Sequence, residues 1–124
     1  MVDERLEDGT RIAQLLASEV DGRVDGVLDT LSVRGANPEV EPTANGAFAY
    51  AIEADGDRLA AVYVHPDRAH VEFSASEAVV EVAESEGLRV RPKATRPPKT
   101  LVFVEDGAQV KRAVSVIERA VQSN

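Results

Sequence analysis

The stretch FAYAIEADGDRLAAVYVHPDRAHVEFS, residues 48–74, decides the fold. Phe48, Tyr50 and Ile52 alternate with Ala49, Ala51 and Glu53 at the two-residue period of a strand, and Asp55-Gly56 supplies the residue types that a tight type I′ hairpin requires. Leu59 to His65 then reads as the returning strand. With the turn at Asp55-Gly56, Glu53 is expected opposite Arg58, Ile52 opposite Leu59 and Tyr50 opposite Ala61. A loop of Pro66-Asp67-Arg68-Ala69 brings the chain back as a third strand, His70 to Ser74, with Val64 opposite Val71 and Val62 opposite Phe73. In this register Phe48, Tyr50, Ile52, Leu59, Tyr63 and His65 share one face, and Ala49, Ala51, Ala60, Val62, Val64, Val71 and Phe73 share the other. Both faces are apolar. One must pack on helices; the other meets more of the chain or is a surface for a partner.

Downstream, Ser74-Ala-Ser-Glu77 has the spacing of a capping box, Val79, Val82 and Ala83 form a helical stripe, and Gly87 stands where a left-handed C-terminal residue belongs. Leu88 to Arg91 and Thr100 to Val104 read as short strands, and Asp106 with Gln109 caps a last helix whose Val110, Ala113, Val114, Ile117 and Val121 lie on one side. Upstream, Thr10 is the expected N-cap of an amphipathic helix over residues 11–21 built on Ile12, Leu15, Leu16 and Val20. Gly22, with Asp21, Asp25 and Asp29 stacked as like charges, marks an expected break; residues 1–34 form an N-terminal helical region and residues 35–46 a loop. The order is therefore α-β-β-β-α-β-β-α, a single α+β domain with a mostly antiparallel five-stranded sheet and helices packed on it.

Composition narrows the function classes. The chain has 124 residues, a formal charge of −8 and no cysteine, and only three of its fourteen cations are lysines. The missing cysteines remove disulfides, thiolate nucleophiles and sulfur-ligated zinc. An acid-rich, lysine-poor chain with an Ala/Val core is the composition expected of a halophile's cytoplasm, because hydrated carboxylates hold water in strong salt while long Lys stems add apolar surface; an acidic protein from a GC-rich genome, where Arg and Ala displace Lys and Ile, is the alternative. An acidic start, Met1 to Asp8, with no apolar run, reads as lacking a signal peptide, and no stretch reaches the roughly 18 apolar residues of a membrane span. A Gly-rich phosphate loop, a G-x-S-x-G elbow and H-E-x-x-H are all absent, so the expectation leans away from an enzyme and includes no cofactor.

The end of the chain, KTLVFVEDGAQVKRAVSVIERAV over residues 99–121, resembles the strand and Asp-capped helix that close YjbR-like double-wing and frataxin-like domains. The segment GLRVRPKATRPPKTLVFVE, residues 87–105, is similar to a conserved haloarchaeal family of uncharacterised small proteins. These resemblances imply an element order and carry no catalytic residue.

Three sets of residues stand out. Residues 1–62 hold 13 acids and 5 bases, whereas residues 63–124 hold 9 of each; within the second half, Arg89, Arg91, Lys93, Arg96 and Lys99 lie in twelve residues free of acids. That segment suits phosphate or nucleic acid, or else it balances the acidic half within the fold or across a dimer. Phe48, Tyr50 and Tyr63 form the expected partner surface. His65 and His70 flank the second hairpin loop as a cross-strand pair able to meet one metal ion, with oxygen from Asp67 or Glu72. The leading expectation is a small cytoplasmic binding or interaction module that pairs with a second copy or another protein. Nucleic-acid or anion binding through residues 88–99 is the alternative, and metal binding at His65 and His70 is third.

Overall fold

A computed structural model describes residues 8–21, 31–37 and 39–122. The elements are α1 (Gly9–Asp21), β1 (Leu31–Arg34), β2 (Ala47–Ala54), β3 (Asp57–Val64), β4 (Ala69–Ser74), α2 (Glu77–Ser85), β5 (Val90–Lys93), β6 (Lys99–Val104) and α3 (Val110–Gln122). All strand pairs are antiparallel, in the order β1-β2-β3-β4-β6-β5. The α+β class and the sequence of hairpin, meander, helix, two strands and helix are as expected. The sheet, however, has six strands rather than five, because Leu31–Arg34 pairs with the outer edge of β2 instead of extending an N-terminal helical region. Four residues with one alternation are too few to register as a strand by pattern; what holds them is the unpaired edge of the longer β2. The expected break at Gly22 lies outside the described residues.

Helices α1, α2 and α3 pack on one face of the sheet. Ile12, Leu16 and Val20 of α1, Val79 and Ala83 of α2, and Val110, Ala113, Val114 and Ile117 of α3 are buried against Ile52, Val62, Val64, Val71, Phe73, Val102 and Val104. Each Val, Leu, Ile or Phe side chain among them contributes about 1.5–3 kcal/mol when fully buried. None of the described helices is long and apolar enough to cross a membrane.

Local signals are met with adjustments that the neighbours impose. Asp55 and Gly56 both adopt positive φ (53° and 88°), as a type I′ turn demands. Gly87 is left-handed (φ 78°), and the amide of buried Leu88 reaches back to Ala83 O at 2.9 Å, closing α2. Asp106 accepts from the Gln109 amide at 3.1 Å while Gln109 Oε1 accepts from the Glu105 amide at 2.8 Å, a reciprocal cap that opens α3 through a 3-10 turn. The cap of α2 is Ser76, which accepts from Val79 N at 3.3 Å; Ser74 is held in the β4 ladder opposite Lys99 and is not free to cap. Asp8, not Thr10, caps α1, its side chain accepting from Arg11 N at 3.1 Å. The displacement follows from Gly9, which is packed so closely on the β3–β4 hairpin that a Cβ there would collide with the backbone oxygens of His65 and Arg68.

Register is where expectation and structure diverge most usefully. Glu53 does face Arg58 and Phe48 faces Tyr63, but between them the pairing shifts by one residue, to Tyr50–Val62, Ala51–Ala61 and Ile52–Ala60, with irregularities between Phe48 and Tyr50 and between Ile52 and Glu53. The extra residues are Ala49 on β2 and Leu59 on β3, one bulge in each strand. In the β3–β4 hairpin Val64 pairs with Ala69, Val62 with Val71 and Tyr63 with His70, so the loop is His65 to Arg68. That register differs by two from the expected one, a shift that keeps every side chain on its face.

Gly9→Ala is expected to lower stability in urea denaturation by about 1–3 kcal/mol, the usual cost of forcing atoms into a closely packed site. Asp8→Ala should cost about 1 kcal/mol through removal of the cap and Thr10→Ala less than about 0.5 kcal/mol; a larger effect at Thr10 than at Asp8 would contradict the assignment of the cap.

Candidate functional site

The two bulges sort the aromatic residues. Because Ala49 and Leu59 are each inserted, Tyr50 and Ile52 turn toward the helices while Phe48 and Tyr63 stay on the opposite face. Tyr50 is therefore buried (4% exposed), and its hydroxyl donates to Ala13 O of α1 at 2.7 Å. Burial, and secondarily the Asp21 carboxylate, push that phenol far above its ordinary range. The expected surface of Phe48, Tyr50 and Tyr63 is thus corrected: Tyr50 is a core residue that anchors α1, and only Phe48 (39% exposed) is an exposed large hydrophobic residue among those described.

On the helix-free face the rings join into a row across four strands. Phe48 meets Tyr63 edge-on with centroids 5.8 Å apart, Tyr63 stacks on His70 at 5.0 Å, and His70 lies 5.4 Å from Phe103. Guanidinium groups stand at both ends: Arg58 over Phe48 at 5.9 Å, and Arg68 and Arg89 over Phe103 at 5.5 and 5.4 Å. The sequence pattern places Phe103 only within a buried strand. No signal in its own segment shows that it alternates onto the helix-free face; the register with His70 puts it there.

Beside the row lies a groove of about 530 Å³, within the range of ligand sites. Its floor is Tyr63, His70, Glu72 and Leu101; Asn45 and Gly46 form one wall, and Arg91, Lys93 and Ala94 form the other. Gly46 has φ +100°, and a Cβ there would press on the His70 and His65 rings and on Tyr63, so glycine lets the wall close over the histidines.

The five cations of residues 88–99 separate by role. Arg89 pairs with Glu105 at 3.5 Å and Lys93 with Glu72 at 3.1 Å. Arg91, Arg96 and Lys99 have no ion pair among the described residues. Alternation along β5 and β6 places Arg91, Lys93 and Lys99 on the helix-free face with Leu101, while Arg96 sits in the connecting loop. β5 is also the outer strand, and its Pro92 and charges blunt that edge against pairing with another sheet.

His65 and His70 do come together, although not as directly opposed residues, since His70 pairs with Tyr63. His65 Nδ1 lies 3.0 Å from Ala44 O, and its Nε2 lies 2.8 Å from His70 Nδ1. Both rings are buried (4% and 5% exposed). Asp67 points away, paired with Arg68 at 2.9 Å, and Glu72 is engaged by Lys93. Among the described residues no three His, Cys, Asp or Glu side chains assemble as a metal set. Burial first, then the neighbouring His65, Lys93 and Arg68, lowers His70 from 6.5 to about 4, which keeps it neutral near pH 7.

The chain belongs to DUF7993, a family of unknown function. The family model matches residues 1–124, in keeping with the expectation of an uncharacterised family. No curated protein and no solved structure matches the chain. Nothing in the geometry or in the comparisons indicates a catalytic role.

A histidine held below its unfolded value takes up its proton late, so its stabilising contribution is complete above about pH 6.5 and disappears as pH falls from there to about 4. The urea midpoint of the wild type should drop more between pH 7 and pH 4.5 than that of His70→Asn, which lacks the buried imidazole of His70. Equal drops would contradict the buried neutral His70.

Proposed function

We propose that this domain binds single-stranded nucleic acid on the helix-free face of its sheet. The observation that carries the reading is the row of rings bounded by guanidinium groups next to a groove walled by Arg91, all on one face of a chain whose net charge is −8. A single strand offers the matching chemistry. Its phosphates suit Arg91 and Lys99, which have no acid partner among the described residues, and its bases have flat faces that stack on the exposed Phe48 ring whatever the sequence. A protein partner is the second reading, in continuity with the expectation of an interaction module, but one exposed large hydrophobic residue is a poor centre for an apolar interface. The acid-rich, lysine-poor composition supports a cytoplasm of high salt as the setting. At about 1 M salt the Debye length is about 3 Å, so stacking and close guanidinium contacts would carry affinity there while long-range steering would not.

The test is a titration of unstructured oligonucleotides by anisotropy across salt concentrations. The wild type should bind, with log K falling linearly against log salt. Arg91→Ala/Lys99→Ala should weaken binding and reduce that slope by about 0.7 for each phosphate that is no longer neutralised. Phe48→Ala should cost about 1–3 kcal/mol with the slope unchanged. Equal binding by all three proteins would refute the reading, and a stable homodimer that loses its affinity for itself on Phe48→Ala would favour the protein-partner reading instead.

A further inference from the structure

Register sets two lysines against each other. Lys93 of β5 pairs with Lys99 of β6, and Ser74 of β4 continues the same row. Directly opposed residues hold their Cβ atoms roughly 4.5–5.5 Å apart, and like charges at that position destabilise a sheet. In the neighbouring row Arg91 pairs with Leu101 and Leu101 with Glu72, so Arg91 stands diagonal to Lys99 with Cβ atoms about 7–8 Å apart. Three cations therefore share one patch of the helix-free face. Glu72, which lines the groove beside them, pairs with Lys93 at 3.1 Å; Arg91 and Lys99 have no ion pair among the described residues. Protection of an open sheet edge accounts for Arg91 and Lys93, since β5 is an outer strand. It does not account for Lys99, because β6 lies between β4 and β5.

A repulsion built into a ladder is relieved by an anion placed between the two charges. We propose that Lys93, Lys99 and Arg91 form a phosphoryl-binding site at the rim of the groove, with Glu72 as the counter-charge that fixes the Lys93 ammonium. Glu72 answers one of the three cations and leaves the patch positive. A phosphoryl group brings the missing negative charge, and its several oxygens accept from two ammonium groups and from the planar fork of a guanidinium at once. The Lys93–Glu72 pair does not close the site: the lysine side chain is 48% exposed, and an ion pair so open to water holds its ammonium weakly enough for an incoming anion to share it. The inference rests on the nucleic-acid reading for the source of the phosphoryl group, which is an internal phosphodiester or a terminal phosphate of the strand.

The experiment titrates inorganic phosphate into the full chain at constant ionic strength, chloride being exchanged for phosphate, and follows the backbone amide resonances. In the wild type those of Arg91, Lys93 and Lys99 are expected to move together along one saturating curve. Lys99→Gln should weaken this binding about threefold to tenfold, the loss of one charge-assisted contact open to water. Without phosphate the same variant should resist urea at least as well as the wild type, because the opposed charge is gone. Glu72→Gln should tighten phosphate binding about threefold, since Lys93 then turns wholly to the anion. Arg34→Gln, which removes a cation from the far edge of the sheet, should bind phosphate as the wild type does. No saturating shift in the wild type, shifts scattered over all the cations, or equal affinity of the wild type and Lys99→Gln would each overturn the inference; the wild-type titration involves no substitution, so a folding defect in a variant does not remove the test. One oligonucleotide with and without a 5′-terminal phosphate then identifies the source. Equal competition with inorganic phosphate by both forms assigns the internal phosphodiester, and competition by the phosphorylated form alone assigns the terminus. Phosphate binding with which neither form competes would overturn the nucleic-acid reading and leave the site. Strand binding that Phe48→Ala weakens, in a protein that takes up no phosphate, would overturn the site and leave the reading.

Discussion

The pairing of β2 with β3 is the constraint on which the remaining structure depends. Two inserted residues, Ala49 and Leu59, offset each other: the strands enter and leave in the simple hairpin register, yet the middle of the ladder is displaced by one residue. A one-residue displacement exchanges faces. Tyr50 and Ile52 are thereby delivered to the helices, and Tyr50 fastens α1 through the Ala13 carbonyl. Phe48 and Tyr63 remain outside the bulged region's effect and start the row of rings that continues through His70 to Phe103. Without the bulges all three aromatic residues would crowd one face, and either the core would lack its largest side chain from β2 or the other face would lack its rings.

The helix-free face is consequently neither a second core nor an ordinary polar surface. Phe103 and both histidines are shielded by Arg68, Arg89 and the turn at residues 43–46, while Phe48, Tyr63 and the groove stay accessible. The cations there are of two kinds. Arg89 and Lys93 answer nearby carboxylates and belong to the architecture of the edge; Arg91 and Lys99 answer none among the described residues and are the groups left for a ligand. A charge run that is one feature along the chain thus becomes, once β5 and β6 are paired, an alternation of structural and available charges.

Much of this is legible in the residues. Asp55-Gly56, Gly87, and the Asp106/Gln109 pair act through their own backbone and near neighbours, so their effects survive any tertiary context. Other signals are diverted by contacts from afar. Ser74 satisfies the capping pattern but is claimed by the β4–β6 ladder, and Thr10 yields to Asp8 because Gly9 must lie against the hairpin. Leu31–Arg34 is a strand because β2 offers it an edge, a fact absent from its own four residues. The histidines are recognisable as a pair from their spacing, but their hydrogen-bond chain depends on the Ala44 carbonyl, which arrives from a turn twenty-one positions away.

The class of fold, the Asp55-Gly56 turn, the C-terminal end of α2, the cap that opens α3 and the gathering of cations between Leu88 and Lys99 follow from the order of residues alone, since local backbone preference and periodicity set them. Three things needed the folded chain: which face each aromatic residue serves, which cations are occupied by carboxylates, and how the two histidines are joined to each other and to Ala44. The reason is physical: bulges, ion pairs and side-chain hydrogen bonds are settled by partners that the chain brings together from distant positions, and no short-range pattern encodes who those partners are.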